Sequence, residues 1–151
     1  SFRITEGFSF DLNDDLNVVD HMVVDANGLK RKAHLTKTSY FPQNRDEQAV
    51  FVSDFPAHID SIVGVYASEK KVIEEIDYEI LDRQTKAIVI QDFVSLSFVN
   101  PDKQDGNSKK VETERVYAKG IGLTEWYTAD KRIHFKLQRM LSNEWWEANA
   151  R

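Results

Sequence analysis

Hydrophobic and polar residues alternate over most of this chain, and a period of two is what a strand with one buried face produces. Phe2, Ile4, Phe8 and Phe10 alternate around Gly7 and predict a short, interrupted first strand. Asn17 to Val24 predicts a second, turned back by Asp25-Ala26-Asn27-Gly28, where Asn and Gly tolerate positive φ. Leu29 to Tyr40 carries Lys30, Arg31, Lys32 and Lys37 among few apolar residues. That is the composition of an edge strand whose charges discourage pairing with other molecules, and the same bases would also suit an acidic partner. After a polar loop from Pro42 to Gln48, the runs Ala49 to Ser53 and Ile59 to Ala67 are apolar and β-prone.

Ser68 to Asp82 supports two readings. Ser68 can cap a helical turn through Glu69, Lys70 and Lys71, whereas Ile76, Tyr78 and Ile80 alternate with Asp77 and Glu79 as a strand does. A strand from about Ile76, turning at Asp82 to Thr85, uses both this run and the β-branched Ala87-Ile88-Val89-Ile90. In Ala87 to Val99, the residues Ile88, Ile90, Val94, Leu96 and Phe98 share one parity and predict a central strand with one dry face. Asn100 to Lys110 is almost free of apolar residues and reads as a solvated hairpin loop. Val111 to Met140 then reads as three strands, with Ile133, Phe135 and Leu137 toward the core and Arg132, His134, Lys136 and Gln138 toward water. The tail from Ser142 to Ala148 predicts a short helix capped by Ser142. These elements make one mainly β domain over residues 1–151, an antiparallel β-sandwich or open barrel of about eight to ten strands with one or two short helices.

Composition narrows the function classes. The chain has 151 residues with net charge −5, so it offers no sequence-wide attraction for phosphate backbones, and no nucleic-acid partner is expected. It has no cysteine, which removes disulfides and thiolate metal sites within these residues. No run approaches the roughly 18 apolar residues of a membrane span.

Candidate chemistry is sparse, and neither a cofactor nor a bound metal is expected. Asp11, Asn13, Asp15 and Asn17 space oxygen ligands like the start of a calcium loop, but Leu16 stands where the loop's glycine belongs and Met22 where its glutamate does. An Asx-rich turn accounts for the same residues. His58 lies between Asp54 and Asp60, so a metal-dependent or hydrolytic site could use this group, joined by His21 or His34; side chains simply solvated in a proline-containing loop are the alternative. His134 reads as a solvent-side strand residue. Gly120-x-Gly122 lacks the third glycine and following helix of a dinucleotide loop, and Glu125 falls in a β-like segment. Trp126, Trp145 and Trp146 are the candidates for contact with a partner, glycan or lipid, set against simple packing of the tail over an open sheet end.

The run Glu114-Arg115-Val116-Tyr117-Ala118-Lys119-Gly120-Ile121-Gly122-Leu123-Thr124, followed by a two-strand ending, resembles the C-terminal part of exported lipoproteins of the Bacteroidetes type, which are β-rich envelope domains. The resemblance covers about the last third of the chain. It implies a signal peptide and lipidated cysteine upstream of Ser1, a periplasmic or cell-surface location, and attachment to a membrane through lipid; residue patterns alone leave a cytoplasmic location open. It implies no catalytic residues. The leading expectation is a non-enzymatic envelope domain that binds a partner, glycan or lipid, followed by the His58 enzyme and by a structural subunit of a larger assembly.

Overall fold

The computed structural model describes residues 6–11, 16–24, 28–42, 44–57, 62–100 and 105–149. Among these, ten antiparallel strands and one short helix make a mainly β molecule with two sheets and no closed barrel. The smaller sheet runs β1 (Glu6–Asp11), β2 (Asn17–Val24) and β3 (Lys30–Lys32). The larger is a seven-stranded meander: β4 (His34–Thr38), β5 (Gln48–Pro56), β6 (Val63–Ile80), β7 (Arg83–Asn100), β8 (Asp105–Ala118), β9 (Gly122–Thr128) and β10 (His134–Lys136). Within each sheet every strand pairs with its neighbours in the chain, which is what short turns between alternating runs produce. The basic segment from Leu29 to Tyr40 is divided between two sheets, with Ala33 buried at the corner, and both β3 and β4 are edge strands.

The two 18-residue strands β6 and β7 organise the rest. At about 3.3 Å per residue each spans roughly 60 Å, so the hairpin is longer than any single core beneath it. Their turn is Leu81-Asp82, closed by the pair Ile80 and Arg83, with φ of 51° and 58°. Positive φ at both central residues is the twist a two-residue hairpin needs. Leu81 offsets the cost of that conformation by packing on the adjacent core. The strand alternative for Ser68 to Asp82 therefore extends further than expected: β6 is continuous from Val63, and no helical turn precedes Ile76.

The partners of this hairpin are staggered. β5 pairs only with Val63 to Lys71 of β6, and β9 only with Thr113 to Ala118 of β8. Each half of the sheet has its own core, on opposite faces. Val89 and Ile90 are consecutive and both buried, so the strand changes its covered face between them. A bulge between Val72 and Glu74 keeps β6 in step with that change, leaving Ile73 as the extra residue. The expectation of one dry face shared by Ile88, Ile90, Val94, Leu96 and Phe98 is corrected here, since Ala87 and Val89 are buried while Phe98 is exposed.

In the first half the small sheet lies over β5 and β6, and the interior is aromatic. Phe8, His21, Tyr40, Phe51 and Tyr66 meet there, with Phe8 stacked 4.4 Å from the His21 ring. In the second half Ile80, Ala87, Val89, Val116 and Ala118 form an aliphatic core, packed against by Tyr78, Ile121, Tyr127 and Leu137. Tyr78 of β6 hydrogen-bonds Glu125 of β9 across two intervening strands, so the sheet curls at this end.

The C-terminal third departs from its pattern. Ile133 and Phe135 are exposed, and only Leu137 of that trio packs against the core. Residues 105–110 belong to β8 rather than to a loop. The predicted tail helix is α1 (Asn143–Asn149), and Ser142 Oγ accepts from the Trp145 N–H at 3.1 Å as an N-cap does.

Candidate functional site

Strand alternation brings two polar networks into the aromatic core. In the first, His21 of β2 is fully buried, with Nδ1 2.7 Å from Ser53 Oγ and Nε2 3.0 Å from Glu6 Oε1. A proton on Nε2 is donated to the Glu6 carboxylate, which leaves Nδ1 to accept from the Ser53 hydroxyl. Serine, histidine and carboxylate thus stand in the order of a hydrolytic relay. The geometry argues against that use. The ring nitrogens are exchanged relative to the Ser-His-Asp template, in which Nε2 faces the serine. Ser53 is completely buried on β5, and only Glu6 reaches solvent. A nucleophile must touch the bond it attacks, and here the reactive end of the relay is sealed.

The second network crosses β6, β7 and β8. Asp92 is fully buried, with Oδ2 3.0 Å from Arg115 Nη2 and 3.8 Å from Lys70 Nζ. Ser68 Oγ donates to Asp92 Oδ1 at 3.0 Å and accepts from Lys70. The Tyr40 ring covers this cluster, 3.7 Å from Lys70 Nζ, and Phe41 packs edge-on to Tyr117 beside it. Burial disfavours the ammonium and lowers the Lys70 pKa to about 8, with Asp92 pulling the other way. Burial likewise raises Tyr66 and Tyr40. The shifts have the character of an active site, but Ser68, Lys70 and Asp92 are covered by side chains, so no substrate meets them.

The sequence candidates scatter. His58 and Asp60 lie outside the described residues. Asp54 is held by His34, whose Nδ1 is 3.0 Å from Asp54 Oδ1 at the exposed β4–β5 edge. Of the calcium-like spacing, Asn13 and Asp15 lie outside the described residues, while Asp11 and Asn17 are paired across the β1–β2 hairpin. Among the described residues no group of three or more His, Asp or Glu could hold a metal ion. Two shallow concavities of about 520 and 540 Å³ lie against the sheet, one lined by Glu69, Phe93 and Glu112 and the other by Asp77, Lys86 and Tyr117. In the second Lys86 pairs with Asp77, but both side chains are exposed to solvent.

What is accessible is the open end of the large sheet. Trp126 is half-buried, and its ring lies 5.4 Å from that of Phe135, directly opposite on β10. Leu123 lines the same hollow as the pair, Ile133 is exposed two residues before Phe135, and Phe135 itself is 63% exposed. The edge is well anchored from behind. Glu125 binds His134 Nε2 at 2.8 Å, Lys136 Nζ at 3.3 Å and the Tyr78 hydroxyl. Burial works to raise the Glu125 pKa, but those donors outweigh it and the net shift is downward. Tyr127, half-buried and hydrogen-bonded to Glu114, is pushed up to about 12. His134 is thus a partly exposed strand residue tied to a carboxylate. Trp145 is exposed on α1 with Arg139 5.7 Å from its ring, so it does not pack fully over the sheet; the Trp146 side chain lies outside the described residues.

Sequence reasoning missed Ser53, Lys70, Asp92 and Arg115, because it assigns a polar residue within a strand to solvent whatever its parity. The signal that could have found two of them was parity, since Asp92 shares that of Ile90 and Val94 and Ser53 that of Phe51 and Phe55. No protein-family model, curated protein or solved structure matches the chain.

Proposed function

We propose that the chain is a non-catalytic domain of the cell envelope that binds a partner through the open end of its large sheet, around Trp126 and Phe135. The observation that carries this reading is a contrast in access. Ser53, His21, Ser68, Lys70 and Asp92 of the aromatic core are covered, with Glu6 beside them reaching solvent, while the aromatic pair at β9 and β10 is open. Contiguous exposed apolar groups on an anchored frame are what binding surfaces present. The envelope location is supported by the Tyr117-Ala118-Lys119-Gly120-Ile121-Gly122-Leu123 resemblance alone. In the fold this run makes the β8–β9 turn, with Gly120 and Gly122 at φ of 77° and 100°.

Hydroxyl-radical footprinting with purified envelope fractions tests the binding reading. Protection of Leu123, Trp126 and Phe135 by one fraction is the expected result. Protection confined to other surfaces, or none with protein, glycan and lipid fractions alike, would remove it. The gene-encoded residues before Ser1 test the location independently, because the lipoprotein reading requires a signal peptide and a cysteine there.

A further inference from the structure

We propose that β10 and the segment following it dock on an anionic lipid surface, a partner class that rests on the binding reading above. Residues 131–142 contain Lys131, Arg132, Lys136 and Arg139 and no carboxylate, a charge of +4 in a chain of −5, which leaves −9 on the remainder. The same residues carry the apolar side chains Ile133, Phe135, Met140 and Leu141, all exposed, with Trp145 following on α1. Of this stretch only Leu137 packs against the core. Exposed aromatic and aliphatic groups interleaved with bases match the boundary between anionic headgroups and acyl chains, where both attractions act together.

The shape favours lipid over a folded protein. Residues 138–142 form no strand or helix, and the described side chains of α1 are exposed. The hollow between Trp126, Phe135 and Leu137 is shallow, about 270 Å³. A specific protein interface is expected to offer a packed pocket for an anchoring side chain, whereas a lipid surface requires no such complementarity. The opposing charges limit the orientation. Asp130 pairs with Arg132 at 3.3 Å, Glu125 with Lys136, and Glu144 and Glu147 lie on α1. Contact is therefore led by Ile133, Phe135, Met140 and Leu141, with Arg139 beside Trp145 nearest the headgroups, while Lys131, over the Tyr127 ring, adds its charge from the other face.

Flotation of the purified chain with phosphatidylglycerol vesicles, and with phosphatidylcholine vesicles for comparison, tests this. Binding to the anionic vesicles that weakens with added salt is expected. Ile133→Ser with Phe135→Ser should weaken it by about tenfold or more, as should Met140→Ser with Leu141→Ser, which touches no strand. Phe98→Ser, an exposed aromatic in the other half, should leave it unchanged. Equal binding to both vesicle types, indifference to both paired substitutions, or no binding would overturn the lipid assignment. If vesicles fail while a protein or glycan fraction protects Trp126 and Phe135, the binding reading survives without the lipid; if nothing protects them, both fall.

Discussion

The two cores of the large sheet differ in kind although they share β6, β7 and β8. The first is aromatic and encloses charge: Lys70, Asp92 and Arg115 lie under Tyr40, and His21 joins Ser53 to Glu6. The second is small and aliphatic, with the polar contacts of Glu125 at its margin. Buried ions are costly to desolvate and tolerate few geometries, so the first core is specified by polar pairing as well as by volume. The second depends mainly on volume.

Removing Asp92 should break this contrast most severely. Asp92→Ala leaves Lys70 and Arg115 without their buried anion and is expected to cost about 3–5 kcal/mol in urea unfolding. Lys70→Met should cost much less, since Arg115 still faces Asp92. Equal losses for the two would mean that Asp92 is not the hub.

Truncations test whether the cores are separate. Phe51→Ala in the first and Ile80→Ala in the second should cost about 3–5 and 2–5 kcal/mol. Because they lie in different cores, the double variant should add to within about 0.5 kcal/mol. A larger coupling energy would mean that the halves respond as one.

A substitution that adds volume should act in the first core alone. A Cβ at Gly64 would sit 2.5 Å from Phe55 Cε2. Gly64→Ala should therefore destabilise by about 1–3 kcal/mol through overpacking, visible as an altered Phe55 environment by NMR.

Alkaline titration separates the cores more gently. Lys70 has a folded pKa of about 8 against 10.5 for an unfolded lysine, so the native state holds fewer protons between these values. Its contribution rises with pH across that window, by at most about 1.4 kcal/mol per pH unit. Tyr66 and Tyr40 are raised from 10.0, so they lose stability for the fold above pH 10. Stability should thus increase from pH 8 toward 10 and decline beyond it, and Lys70→Met should flatten the rising limb.

The smallest effect is expected at the exposed His34–Asp54 pair outside both cores, where His34→Ala should change stability by less than about 1 kcal/mol.

The strands β2, β5 and β9, the Ser142-capped helix and the existence of the β6–β7 hairpin were legible because their signals are local, although the turn expected at Asp82 to Thr85 is made by Leu81 and Asp82. Alternation, turn residues and caps act between residues a few positions apart, and a meander pairs strands in chain order. The candidate site was legible only in Trp126 and Trp145. The exposure of Ile133 and Phe135 was not, because a pattern of period two looks the same whether one face, the other, or neither is covered.

By itself, then, the sequence determined that this chain is a mainly antiparallel β structure, and the order of its strands came from the fold. Only the tertiary structure decided that the covered face changes between Val89 and Ile90, and that Lys70 and Asp92 are interior with Arg115 half-buried beside them while Phe135 is exposed. The physical reason is distance along the chain. Burial of a strand face depends on what packs over it, and the small sheet and Tyr40 that seal the charges come from segments tens of residues away.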